Sequence, residues 1–240
     1  GLYAGWAGKQ LEFNKAYMGH ALGDSGNELA GHFIAGNDFN YVVDHTMAIS
    51  SAKRYTVVSC SSTALEKGLV DLSSYALVDM AFGLQKDDYQ LGLHFKAFTP
   101  TIRQQIQRYT AGGGALLISG SFLGSDMQQP DEQTFMQNVL KLNYNPVEQI
   151  TESPVIHGLG TQFNVYRTFN EKHYAVTHPE VLAPVGGSIC AMQYADGTSA
   201  AVGYKGSYST FTMGFPFECI IDGQTKAKLM QGILAYLIKK

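Results

Sequence analysis

The chain has 240 residues, enough to bury a full hydrophobic core in one large domain or two small ones. Apolar residues make up 45% and charged residues 15%, the latter below the roughly 25% of an average soluble protein. The net charge is −3, and no Lys/Arg cluster exceeds Lys53-Arg54 and Lys239-Lys240, which excludes the basic stripe of a nucleic-acid surface. No apolar run approaches the roughly 20 residues of a membrane span. Neither a secretory nor a transit segment opens the sequence. Gly1 reads as a processing scar, compatible with a chain cut from a longer multi-module protein.

Residues 1–36 are Gly-rich, with a short helix expected near 10–18. A helix is expected from 37, capped by Asn37 or Asp38. Its apolar positions Phe39, Val42, Val43, Thr46, Met47 and Ile49 fall at spacings of three and four. Tyr55-Thr-Val-Val-Ser-Cys60 reads as a short β-branched strand, and Ser62-Thr-Ala-Leu-Glu-Lys67 as a helix start. Tyr75-Ala-Leu-Val-Asp-Met-Ala-Phe82 reads as a strand buried on both faces.

The clearest local signature is Thr99-Pro-Thr-Ile-Arg-Gln-Gln-Ile-Gln-Arg-Tyr109. Thr99 caps, Pro100 takes the first helical position, and Ile102, Ile106 and Tyr109 line one face. Gly112-Gly-Gly114 stops this helix and leads into a buried strand, Ala115-Leu-Leu-Ile-Ser119. Because the glycines follow a helix and precede a strand, they are not a phosphate cradle. Strand, helix, strand in this order makes a right-handed parallel crossover. A helix follows over 131–142. Residues 143–198 read as an irregular insertion of hairpins and loops, then a strand over 200–204, a strand over 210–213 and a last helix over 224–238.

This alternation predicts one α/β domain spanning 1–240. It is an open, mostly parallel sheet with helices on both faces, plus a β-hairpin and loop insertion. Ligands of such sheets bind beyond the carboxyl ends of the strands. The segments 59–68, 75–85 and 112–126, with Gly214-Phe-Pro-Phe-Glu218, resemble the flavodoxin-like, class I glutamine amidotransferase-like domain of exported bacterial proteins labelled xanthan lyases. The resemblance covers roughly 33–240. It implies an extracytoplasmic location, a polysaccharide or other neutral polar ligand, and other modules of the same protein as partners.

Amidotransferases of that class carry Gly-x-Cys-x-Gly at a strand-to-helix elbow. Here the matching stretch is Gly120-Ser-Phe-Leu-Gly124, with Phe122 at the nucleophile position. A phenyl ring neither attacks an amide nor accepts a proton, and no histidine stands in Phe215-Pro-Phe-Glu218. The resemblance therefore implies a degenerate elbow and no glutaminase. His178-Pro179-Glu180 falls in the insertion and reads as coincidence. Cys60, Cys190 and Cys219 are too few and too scattered for a disulfide framework or zinc site. Cys60 and Cys219 read as buried free thiols, and neither metal nor cofactor is expected.

The candidate ligand-binding residues are Asn37, Tyr41, Ser61, Glu66, Ser119 and Ser121, gathered at the carboxyl ends of the strands. Asn37, Tyr41 and His45 share a helix face and are residue types with which polysaccharide lyases neutralise uronic carboxylates and move protons. The alternative makes Asn37 a cap, Tyr41 partly buried and His45 a surface residue outside the cluster. The leading functional expectation is a noncatalytic or accessory domain of an exported carbohydrate-processing protein. The rivals are a carbohydrate-active lyase or hydrolase with a site at the strand ends, and a protein-interaction scaffold.

Overall fold

The structure, a computed structural model, describes residues 41–52, 55–87, 96–146, 155–167, 175, 176 and 178–238. Asn37 lies outside the described residues, as does the helix expected near 10–18. Helix α1 is described over Tyr41–Ala52 and α2 over Ser62–Glu66. Strand β1 (Val78–Gly83), helix α3 (Pro100–Ala111) and strand β2 (Ala115–Gly120) form the expected crossover, and β1 pairs parallel with β2. Thr99 accepts a hydrogen bond from the Ile102 N–H at 3.4 Å and donates to Glu66 Oε1 at 2.6 Å. Thr99→Ala is therefore expected to lower stability by about 1 kcal/mol, and Thr99→Ser to restore it. Equal urea midpoints for all three proteins would show that the cap adds nothing.

Helix α4 (Pro130–Phe135) begins with the Glu132 side chain accepting from the Gln129 N–H at 2.9 Å. The expected helix over 131–142 does not run through. It widens to a π turn at Met136–Leu140 and stops at Lys141, whose φ of 59° turns the chain into β3 (Leu142–Asn145). Next come β4 (Val155–Gly158), β5 (Thr161–Asn164), β6 (Val181–Pro184), β7 (Ile189–Tyr194), β8 (Ser199–Lys205) and β9 (Ser209–Met213). Helix α5 (Gly223–Leu237) follows, with Asp222 capping the Thr225 N–H.

The main sheet has the order β1-β2-β9-β8-β7-β4-β5. Among the described residues of this sheet only β1–β2 and β2–β9 are parallel, and the other four pairings are antiparallel. The sheet is mixed and mostly antiparallel, which corrects the expected open, mostly parallel, flavodoxin-like sheet. Short connections are the physical reason, since a few residues can join antiparallel neighbours but not parallel ones. Leu159 and Gly160 take φ of 50° and 70° between β4 and β5, a two-residue turn whose twist suits a hairpin. Only three residues separate β8 from β9, where the Gly206 N–H donates to Tyr208 O.

Residues 55–60 form no strand and are exposed, because β1 ends the sheet and, among the described residues, nothing pairs beyond it. β-Branched residues favour a pleated surface only where a partner supplies one. Cys60 is correspondingly exposed rather than buried, as is Cys190, while Cys219 is buried, and none of the three is in a disulfide.

Two cores flank the sheet. On one face Leu117, Phe211 and Met213 meet Ala48 and Ile49 of α1 and Ile233, Leu234 and Leu237 of α5. On the other, Leu116 and Ile118 meet Ile102 and Ile106 of α3, Phe135 of α4, Leu142 of β3 and Leu182 of β6. Strand β2 is buried at all six positions, as its continuous apolar run implies. Helix α1 is turned from the orientation its apolar spacing predicts: Val42, Val43 and Met47 are exposed, and His45, Ala48 and Ile49 are buried.

Candidate functional site

A charged knot explains that rotation. His45 Nδ1 lies 2.7 Å from Asp79 Oδ2 on β1, and Nε2 lies 3.2 Å from Glu218 Oε2 in the turn after β9. The Phe217 ring meets the imidazole edge at 4.9 Å, and Lys226 Nζ of α5 donates to Asp44 Oδ2 at 2.9 Å. Burial alone lowers the affinity of His45 for its proton. The charge and hydrogen bond of Asp79, joined by those of Glu218, outweigh it and push the pKa up to about 10. His45 is only 4% exposed, so this imidazolium fastens α1 to the sheet and has no surface to offer a substrate. Its expected place on the surface is corrected accordingly. The sequence signal was Asp79 itself, a carboxylate inside an apolar strand, which requires a partner.

The elbow at the carboxyl ends of β1 and β2 is the better candidate site. The Ser121 N–H donates to Gly83 O at 2.8 Å, and the Met127 N–H donates to Gly124 O at 3.1 Å, closing a tight turn. A Cβ on Gly124 would stand 2.6 Å from Tyr144 Cβ, so glycine there serves close approach to β3. Phe122 is half-buried at the turn. Its ring centroid is 5.2 Å from that of His178, and Lys86 Nζ stands 5.0 Å from it, within cation–π range.

Glu180 completes the elbow from the other side. Its Oε2 accepts from the Gly124 N–H at 2.6 Å and its Oε1 from the Ser125 N–H at 2.8 Å. The Tyr194 hydroxyl donates to Glu180 O at 3.0 Å and the Glu180 N–H donates to Gly214 O at 2.8 Å, so both ends of the residue are held. Burial pushes the carboxyl up to about 7, against the bonds from Ser125 and Gly124 and with help from the charge of Asp126. Asp126 is also raised, by burial first, while the Asp87 N–H and Lys96 oppose. Lys96 Nζ ties the loop down, donating to Asp126 O at 2.9 Å and to Glu132 Oε1 at 2.6 Å. The His178-Pro179-Glu180 segment, read as coincidence, thus belongs to the elbow. The sequence showed the motif but not the long-range packing that brings it there.

The sequence candidates stand on different elements. Ser119 lies near the end of β2 and Ser121 just past it, yet both are fully buried, and among the described residues neither hydroxyl has a partner. Ser61 is exposed and caps its own helix, accepting from the Ala64 N–H at 3.2 Å. Glu66 is exposed and bound by Thr99 near the start of α3. No hydrogen bond among the described residues joins Ser61 or Glu66 to Ser119 or Ser121. Tyr41 opens the described part of α1. Among the described residues no group of three or more His, Cys, Asp or Glu could hold a metal ion. No helix among them is long and apolar enough to cross a membrane.

No family model matches the chain, and no curated relative does. Solved structures with a similar fold include glycoside hydrolases. One is the exo-beta-1,4-mannosidase Op5Man5 from Opitutaceae bacterium strain TAV5, with a TM-score of 0.54 and 13% identity over 88% of this chain and 34% of that one. Another is a beta-galactosidase from the psychrophilic Marinomonas ef1, with a TM-score of 0.49 and 14% identity over 87% of this chain and 26% of that one. The chain therefore spans about a third of the mannosidase's length. The mixed, mostly antiparallel sheet, with the fold likeness to the mannosidase, replaces the expected likeness to a flavodoxin-like amidotransferase domain of proteins labelled xanthan lyases.

Proposed function

We propose that the chain is a domain of a carbohydrate-active hydrolase and that its elbow contacts glycan. The observation that carries this reading is the fold likeness to an exo-beta-1,4-mannosidase over 88% of the chain. The chemistry of the elbow supports it. The half-buried Phe122 ring offers a face for the C–H groups of a sugar, and exposed Lys86 and His178 can bond hydroxyls. Glu180 and Asp126 are nearly enclosed, at 4% and 9% exposure, and shape the elbow from beneath. An extracytoplasmic location accompanies the proposal, because polymeric glycans do not enter cells. One observation favours a noncatalytic, binding-only role instead: both Glu180 oxygens are already engaged by backbone N–H groups.

Calorimetric titration with a beta-1,4-linked mannotetraose tests the site, with product analysis of the same mixture. Binding by the wild type and a roughly tenfold loss in Phe122→Ala are expected, the scale of one aromatic contact. Released mannose supports the hydrolase, while binding without product supports the accessory role. Affinity unchanged in Phe122→Ala would remove the elbow as the glycan site.

A further inference from the structure

Buried N–H groups need acceptors, and in the 121–127 turn the backbone supplies only some of them. The Ser121 N–H goes to Gly83 O and the Met127 N–H to Gly124 O. The successive N–H groups of Gly124 and Ser125 go instead to Glu180, one to each carboxyl oxygen, at 2.6 and 2.8 Å. The Ser125 hydroxyl bonds the same carboxyl. Glu180 is 4% exposed, and among the described residues no lysine, arginine or histidine forms an ion pair with it. Its main chain is held at both ends, the N–H by Gly214 O and the carbonyl by the Tyr194 hydroxyl. The side chain is therefore delivered to the turn from a fixed point just before β6. An N–H group only donates, so each oxygen is addressed as an acceptor, which is how a carboxylate binds. Such charge-assisted bonds are stronger than neutral ones, and here they offset the burial of the charge.

We propose that the Gly124 and Ser125 N–H groups form a carboxylate cradle that Glu180 fills from within, which makes Glu180 the positioning residue for the turn that carries Phe122. The chemistry of the cradle is selective. Two donors on adjacent peptide units are matched by both oxygens of a carboxylate but by only one atom of a primary amide. In Glu180→Gln the side-chain NH2 would face a backbone N–H, donor against donor, and one of the two N–H groups would lose its acceptor. In Glu180→Ala both would lose it, and the room left by the side chain would admit a small carboxylate from solution. The cradle belongs to the turn itself and holds whatever ligand the elbow takes.

Amide hydrogen exchange in the wild type, Glu180→Gln and Glu180→Ala tests the cradle without a glycan, so its failure is distinct from failure of the glycan reading. All are measured at one pH, where intrinsic exchange is equal. Exchange at Gly124 and Ser125 should quicken on the order of tenfold in Glu180→Gln and further in Glu180→Ala, the scale of a lost charge-assisted bond. Unchanged exchange at both amides in Glu180→Gln would overturn the proposal. Sodium acetate should slow exchange in Glu180→Ala saturably and return both amide resonances toward their wild-type positions. Acetamide, which fills a similar volume without the charge, should not, and neither should sodium chloride at equal ionic strength. Rescue by acetate and acetamide alike, or by neither, would show that Glu180 acts by packing alone and would sink the cradle. Should Glu180→Ala not fold, NMR of the wild type decides instead. A scalar coupling across the hydrogen bond, from the Gly124 nitrogen to the Glu180 carboxyl carbon, is expected, and its absence counts against the proposal.

Discussion

Replacing His45 by alanine is expected to cost the folded chain about 3–5 kcal/mol, the scale of a buried ion pair broken from one side. The variant keeps the Asp79 and Glu218 carboxylates with the imidazolium gone, and among the described residues Asp79 Oδ1 already has no partner. The large term is the stranded buried charge, not the lost contact area. The pH dependence has a definite sign. His45 has its pKa raised from 6.5 to about 10, so its contribution is complete below pH 6.5 and is lost as pH rises through 10. Urea unfolding of the wild type should therefore weaken from pH 7 toward pH 10, and this slope should be absent from His45→Ala. A loss below about 1 kcal/mol would mean that water or relaxation already compensates the two carboxylates.

Gly214→Ala should destabilise by about 3 kcal/mol, the upper range of overpacking in a close-packed interior, and should displace Glu180 as well. A Cβ at this position would stand 2.3 Å from Glu180 O and 3.1 Å from its carbonyl carbon. Backbone cannot swing aside as the end of a side chain can. The Gly214 carbonyl also accepts the Glu180 N–H, and the Gly214 N–H donates to Ala200 O, so any shift breaks bonds that position Glu180. Gly223→Ala is the control, since a Cβ there meets nothing within 4 Å. Equal unfolding midpoints for the two variants, or unmoved Gly124 and Ser125 amide resonances in Gly214→Ala, would refute the coupling.

Parts of the fold were legible because their causes are local. Thr99, Pro100 and the Ile102-Ile106-Tyr109 face mark α3 within one stretch of chain, and Gly112 to Gly114 end it: a Cβ on Gly114 would fall 2.4 Å from the Tyr109 ring. The strand at 115–119 was readable because a segment buried on both faces is apolar at every position. The antiparallel half was not readable in this way. Strands β4 and β5 are short and half-exposed, β7 is as long as β2 but open to solvent at alternate positions, and direction depends on the turns between neighbours rather than on any one strand's composition. The run at 55–60 shows the converse, strand-like residues with no strand to join.

The site divides along the same line. By itself the sequence determined the parallel crossover, the Thr99 cap and the glycine-bracketed elbow that holds a phenylalanine, each a matter of adjacent residues and backbone sterics. Only the tertiary structure decided which polar groups stand at that elbow and which are buried away from it. His45 joins partners 34 and 173 positions distant, and Glu180 reaches Gly124 across 56. A buried charge can be satisfied by any suitably placed partner, near or far in the chain, so its requirement is visible in one residue while the answer lies in the packing of many. For the same reason Ser119 and Ser121 stand at the predicted strand end but are enclosed by the apolar layers that cover it.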